Sequence, residues 1–184
     1  MNRSTMLSYL HKIDENLNSK ALLSIFGGGV CILYGMPSRT SFDIDVWLPE
    51  CFFEDKNDFM EACAKSDVLV IYSGYAQEID KPYIQLVDET AGIVEIGRIK
   101  RELAITLFEG KNLTVKSLPT ANIVASKLVR CHPHDISDCI FLIREFKVSR
   151  EEILNVIDTF RNLTAKEMAK ENIVLLDVSG VFDK

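Results

Sequence analysis

Three consecutive glycines, Gly27, Gly28 and Gly29, close the apolar run Ala21 to Phe26. Thirteen residues, 30 through 42, separate them from the alternation Asp43-Ile44-Asp45. The glycines read as a sharp turn whose bare backbone can approach a ligand closely. Residues two apart on a strand point to the same side, so Asp43 and Asp45 project together from the strand expected over Phe42 to Leu48. Two carboxylates held side by side repel, and one tends to take up a proton unless a cation sits between them. Their neighbours Ile44, Val46, Trp47 and Leu48 look buried, which makes the acids costly unless they are used. Mg2+ suits such a pair, because it takes a few carboxylate oxygens and leaves the rest of its shell to water and substrate phosphates. The glycine turn, with the N–H groups of a short helix expected over Val30 to Tyr34, supplies the complementary phosphate-binding half. A glycine triplet by itself is a common turn, and Asp-Ile-Asp by itself is a solvated strand face. Their joint spacing across strand, helix and strand is what makes the segment specific.

The rest of the chain divides by character near residue 117. Apolar spacing predicts a helix over 4–18, with Met6, Leu7, Leu10, Ile13 and Leu17 on one side, and a second helix over 54–65. Strand patterns follow at Val68–Tyr72, Tyr83–Val87, Ile93–Ile99 and Leu113–Lys116. Helices are then expected from Pro119 to Arg130 and from Asp135 to Phe146. Ser149 with Glu152, and Thr164 with Glu167, have the spacing of capping boxes that open two further helices, the last one short. Residues 173–178 fit either a terminal strand or a packed tail. The pattern predicts an α/β (α+β) protein: a mixed-sheet core over 1–117 and a helical lobe over 118–184, packed as one compact unit.

The segment FGGGVCILYGMPSRTSFDIDVWLPE, residues 26–50, resembles the signature of the minimal nucleotidyltransferase fold of the DNA polymerase β superfamily. It is more closely similar to the abortive-infection and toxin-type bacterial nucleotidyltransferases. The resemblance covers roughly residues 20–146. It implies that Asp43 and Asp45 hold divalent metal, Mg2+ or Mn2+, and that Gly28 and Gly29 contact phosphate. The second glycine position is often Ser in that family, so Thr40 or Ser41 is the expected substitute for its hydroxyl. Arg39, in the same hydroxyl-rich loop, reads either as a phosphate contact or as a solvent-facing residue.

The stretch IVASKLVRCHPHDISDCIFLI resembles a later motif of the same family. There Lys127 falls on the triphosphate-binding lysine, Asp135 on an essential acid and Asp138 on the acid that follows. Asp135, at the start of a helix, also reads as an N-terminal cap. The family's third carboxylate, a metal ligand and catalytic group, is assigned to Glu95 within GIVEIGRI, on the strand face opposite Val94 and Ile96. Asp88 is the runner-up, although VDETAG reads as a turn. The implied reaction transfers a nucleoside monophosphate from an NTP to a hydroxyl of RNA, tRNA in particular, or of protein, in a toxin–antitoxin or phage-defence setting with a cognate antitoxin protein as partner. The alternative is a non-catalytic nucleotide-binding or partner-binding module.

Composition narrows the partners. The net charge of −6 argues against a broad basic surface for duplex DNA. There is no apolar run long enough for a membrane span and no signal-peptide apolar region, so a cytoplasmic protein without a membrane partner is expected. Five scattered cysteines without CxxC spacing are expected to be reduced thiols. The cluster Cys131, His132, His134 and Cys139 fits none of the usual zinc spacings and is set aside.

Overall fold

The computed structural model describes residues 1–72, 81–90 and 94–183. It separates into two units: Met1–Ala91 with Ile105–Ser117, and Gly92–Ala104 with Leu118–Lys184.

The first unit is built on a mixed sheet. Strand β1 (Ala21–Phe26) leads through the short helix α2 (Gly28–Leu33) into β2 (Asp43–Trp47). The two-residue β3 (Phe52–Phe53) pairs with the start of β1, while β2 pairs antiparallel with its end. Strands β4 (Leu69–Tyr72), β5 (Tyr83–Val87), β6 (Ile105–Glu109) and β7 (Leu113–Ser117) complete the order β4-β5-β2-β1-β7-β6. β2 runs parallel to β5, and β1 parallel to β7.

One face of the sheet is the core of this unit. Leu23, Ile25, Ile44, Val46, Ile84, Leu86, Leu113 and Val115 are all buried there. Helix α1 (Arg3–Asn16) contributes Met6, Leu10 and Ile13 to that core, and α3 (Lys56–Lys65) contributes Phe59, Ala62 and Cys63. Asn2 caps α1 by accepting the N–H of Thr5, and Asp55 caps α3 by accepting the N–H groups of Asn57 and Asp58. Asp14, near the end of α1, accepts the N–H groups of Lys111, Asn112 and Leu113 and so ties the β6–β7 turn to that helix.

The second unit is helical. Helix α4 (Thr120–Arg130) packs against α5 (Pro133–Phe146), α6 (Arg150–Ile157) and α7 (Leu163–Val178). The capping box of Ser149 and Glu152 forms as its spacing predicts. α7 is capped by Asn162 rather than Thr164, and it is a 16-residue helix rather than a short one. Residues 173–178 are its last turns, neither a strand nor an irregular tail. Their apolar members alternate between buried (Ile173, Leu176) and exposed (Val174, Leu175, Val178), a helical pattern that a six-residue window does not distinguish from a strand.

The strand expected over Ile93–Ile99 does not form over the described residues 94–99, and Ile93 lies outside them. Gly97 turns the backbone with φ +69°, and a side chain there would meet Thr159 Oγ1 at 2.7 Å. Asn122 Nδ2 donates to the carbonyls of Ile96 and Arg98, and Thr159 Oγ1 accepts the N–H of Arg98. This backbone spends its hydrogen bonds on helical-lobe residues instead of a sheet ladder. The segment expected to belong to the core over 1–117 therefore groups, from 94 to 104, with the helices. Among the described residues, no helix is long and apolar enough to cross a membrane.

Candidate active site

β2 and β5 present the same burial alternation, and their register explains why. Asp43 pairs with Tyr83, Ile44 with Ile84, Asp45 with Gln85 and Val46 with Leu86. In-register neighbours share a face. Ile44, Val46, Ile84 and Leu86 take the core face, and Asp43, Asp45, Tyr83 and Gln85, all half-buried, take the other. The two acids thus stand side by side on one face, as their spacing predicts.

The glycine turn closes against this face. Gly27 has φ +72° and ψ −155°, a conformation close to glycine-only. A Cβ added to it would lie 2.1 Å from Asp45 Oδ2. A Cβ on Gly28 would lie 2.6 Å from Arg39 Nη2. The two missing side chains make room for a carboxylate and a guanidinium. Gly29 differs: it is buried, and a Cβ there would meet Met6 Cε, Asp43 O and Ile44 Cα at 3.7–3.9 Å, which is ordinary packing. The sequence pointed to Gly28 and Gly29 as the phosphate-contacting pair, whereas Gly27 and Gly28 are the positions where space is required. Helix α2 has only six residues, so the space, more than a helix dipole, distinguishes this turn.

The loop before β2 supplies polar groups. Ser41 Oγ donates to Asp43 Oδ1. Arg39 Nη1 donates to the carbonyl of its neighbour Thr40 at 2.8 Å, which holds the guanidinium back toward the glycines. Thr40 itself is exposed, so of the two expected hydroxyls it is Ser41 that meets an acid. Tyr83 OH approaches Asp43 Oδ2 at a long 3.5 Å. Burial, then the charges of Asp43 and Asp45, raise the Tyr83 phenol above its ordinary pKa. Tyr83 and Gln85 were missed in the sequence because their strand was legible but its partner and register were not.

The third-carboxylate candidates have other engagements. Glu95 is not on a strand, and its Oε1 accepts the N–H of Asn162, the capping residue of α7, at 2.9 Å. Asp88 sits in the expected turn just after β5 and accepts the N–H and hydroxyl of Thr90; those bonds, the hydroxyl's first, lower its pKa. Among the described residues, no group of three or more His, Cys, Asp or Glu side chains is arranged to hold a metal ion.

In the second unit, Lys127, Asp135 and Asp138 do come together. Lys127 is 5% exposed and donates to Asp135 Oδ1 at 3.1 Å and Asp138 Oδ2 at 2.7 Å. Both aspartates are fully buried. Arg130 forks onto Asp135 through Nε and Nη2 at 2.9 and 2.8 Å, and Asp135 Oδ2 also accepts the N–H of His132. Burial alone would raise the Asp135 pKa, but Arg130 and Lys127 reverse this and hold it well below the usual carboxylate range. The cap of α5 is His132, not Asp135; Asp135 is the third residue of that helix, accepts the N–H of the cap and belongs to an internal ion cluster, in which Lys127 spends its charge on two carboxylates. Of the cysteine–histidine group, Cys139 is buried with Sγ against Val124 O, and burial raises the Cys131 thiol above its ordinary pKa.

The fold is that of a nucleotidyltransferase-like protein. A search of solved structures found an antigenic nucleotidyltransferase-like protein from Paracoccidioides brasiliensis, which aligns with a TM-score of 0.55. The match covers 98% of this chain and 92% of that one at 18% identity, a likeness of fold. No family model and no curated protein matches the sequence.

Proposed function

We propose that the chain is a nucleotidyltransferase that moves a nucleoside monophosphate from an NTP to a hydroxyl of RNA or protein, with Mg2+ or Mn2+. One observation carries this reading: Asp43 and Asp45 share a face of β2, packed against a glycine turn whose absent side chains leave room for Asp45 and Arg39. The donor set suits a hard cation, since two carboxylate oxygens leave the remaining positions to water and phosphate. Asp43 and Asp45 would hold the metal, which supplies charge neutralisation at the triphosphate. Arg39 offers a fork of donors suited to phosphate oxygens, directly over the Gly28 backbone. Ser41 fixes the orientation of the Asp43 carboxylate. Positioning and charge complementarity of this kind account for most of the catalysis such a site needs.

The toxin–antitoxin or phage-defence role, with tRNA or a protein hydroxyl as acceptor and a cognate antitoxin as partner, belongs to the same proposal and rests on the sequence resemblance. A second reading, a nucleotide-binding module without transfer, is favoured by the donor set, which among the described residues is two acids with the neutral Gln85 as the β5 neighbour of Asp45.

Incubation with each α-labelled NTP, Mg2+ or Mn2+, and cellular RNA or lysate protein tests the proposal beside an Asp43→Asn control. Label appearing in one macromolecular fraction and lost in the control supports transfer. Label retained by the folded control overturns the metal assignment, and no label with nucleotide still bound selects the second reading.

A further inference from the structure

Gln85 is the in-register partner of Asp45 on a parallel strand, so its side chain leaves the sheet on the same face as both acids. Tyr83, two residues earlier on that strand, shows the direction, since its hydroxyl reaches toward Asp43 Oδ2. Position 85 is therefore the sheet position from which a third carboxylate would stand beside Asp45, and a neutral amide fills it. Two carboxylates carry the charge that balances one divalent cation; a third would favour a tighter or a second one. A glutamine can offer a metal only one neutral carbonyl oxygen, and its amide can instead donate to a neighbouring carboxylate.

We propose that Gln85 sets the cation capacity of the site: without nucleotide, Asp43 and Asp45 take up at most one divalent ion, and the neutral amide at 85 prevents tighter or further binding. This rests on the metal assignment made above for Asp43 and Asp45. Its test needs neither the acceptor nor the base of the nucleotide.

Mn2+ is titrated into the full chain without nucleotide, and free Mn2+ is followed by its electron paramagnetic resonance signal. The expected result is at most one Mn2+ per chain in the wild type, lost in Asp45→Asn. Gln85→Glu is expected to bind Mn2+ at least about tenfold more tightly, or to take a second ion. Circular dichroism checks that the variant is folded, and the shorter Gln85→Asp replaces it if it is not. Wild-type protein that binds two ions, both lost in Asp45→Asn, overturns the inference. So does a folded acidic variant that binds no more tightly than wild type while Asp45→Asn abolishes binding; in both cases the metal assignment survives. Binding that is unchanged by Asp45→Asn, or absent from wild type and the acidic variant alike, overturns the metal assignment and the inference together. An acidic variant that binds where wild type shows none supports both.

Discussion

The carboxylate of Asp45 occupies the space that a side chain on Gly27 would need, since a Cβ built on that glycine would lie 2.1 Å from Asp45 Oδ2. Seventeen intervening residues, 28 through 44, join the two positions by way of α2 and the loop into β2. Contact between them fixes where the acid stands.

Gly27→Ala should therefore displace the Asp45 carboxylate as well as strain the turn. The backbone term alone is on the order of 1–3 kcal/mol for a residue forced into this region. Gly29→Ala, whose new methyl meets only ordinary contacts, should lose much less stability and keep metal binding. Urea unfolding with a Mn2+ titration on both variants checks the contrast. Equal loss in the two would mean that the turn, not the Asp45 contact, is what matters.

Tyr83 should report on the acids. Its phenol is raised by burial and by the charges of Asp43 and Asp45, so Asp43→Asn should bring its pKa down, and a cation bound between the acids should do the same. Carbon-13 NMR of labelled tyrosine, titrated with and without Mg2+, resolves this ring from the other four. A Tyr83 titration that ignores both the substitution and the metal would place the cation elsewhere.

The ion cluster of the helical unit predicts an acid limb in stability. Asp135 has a folded pKa below its unfolded value near 3.9, so its contribution is fully present above that value and is lost as pH falls below about 4. Asp135→Asn should flatten this limb of the denaturation midpoint against pH. An unchanged limb would assign acid sensitivity to other carboxylates.

Lys127→Met leaves two buried aspartates without their shared ammonium, and removing one partner of a buried pair costs about 3–5 kcal/mol. Replacing Lys127, Asp135 and Asp138 together by apolar residues of similar volume should recover much of that loss. Chemical denaturation of the single and triple variants tests it; a single variant as stable as wild type would show that the cluster contributes little to the fold.

Glu95→Gln keeps an acceptor for the Asn162 N–H and should leave stability within about 0.5 kcal/mol, whereas Glu95→Ala should cost about 0.5–1.5 kcal/mol. If Glu95 acts through Asn162 alone, Mn2+ affinity is unchanged in Glu95→Gln. A marked fall in affinity in that variant would restore Glu95 as a metal ligand.

Elements whose signals are local are legible along the chain before any long-range contact is known. β1 and β5 fall where the apolar runs place them, the Asp43–Asp45 face follows from a period of two, and the Ser149 cap follows from a four-residue pattern. The sequence also marked the glycine turn, although not which of its glycines need the space. Everything that depends on long-range pairing became visible only in the folded chain. Folding set Gln85 and Tyr83 beside the acids through the β2–β5 register, turned the 94–99 segment into a loop tied to Asn122, Thr159 and Asn162, and enclosed Lys127 between two aspartates. Periodicity tells which way a side chain leaves its own strand or helix. Which neighbour it meets there, and whether a charge is neutralised inside the protein or held for a ligand, depends on segments far away in the chain that only folding brings together.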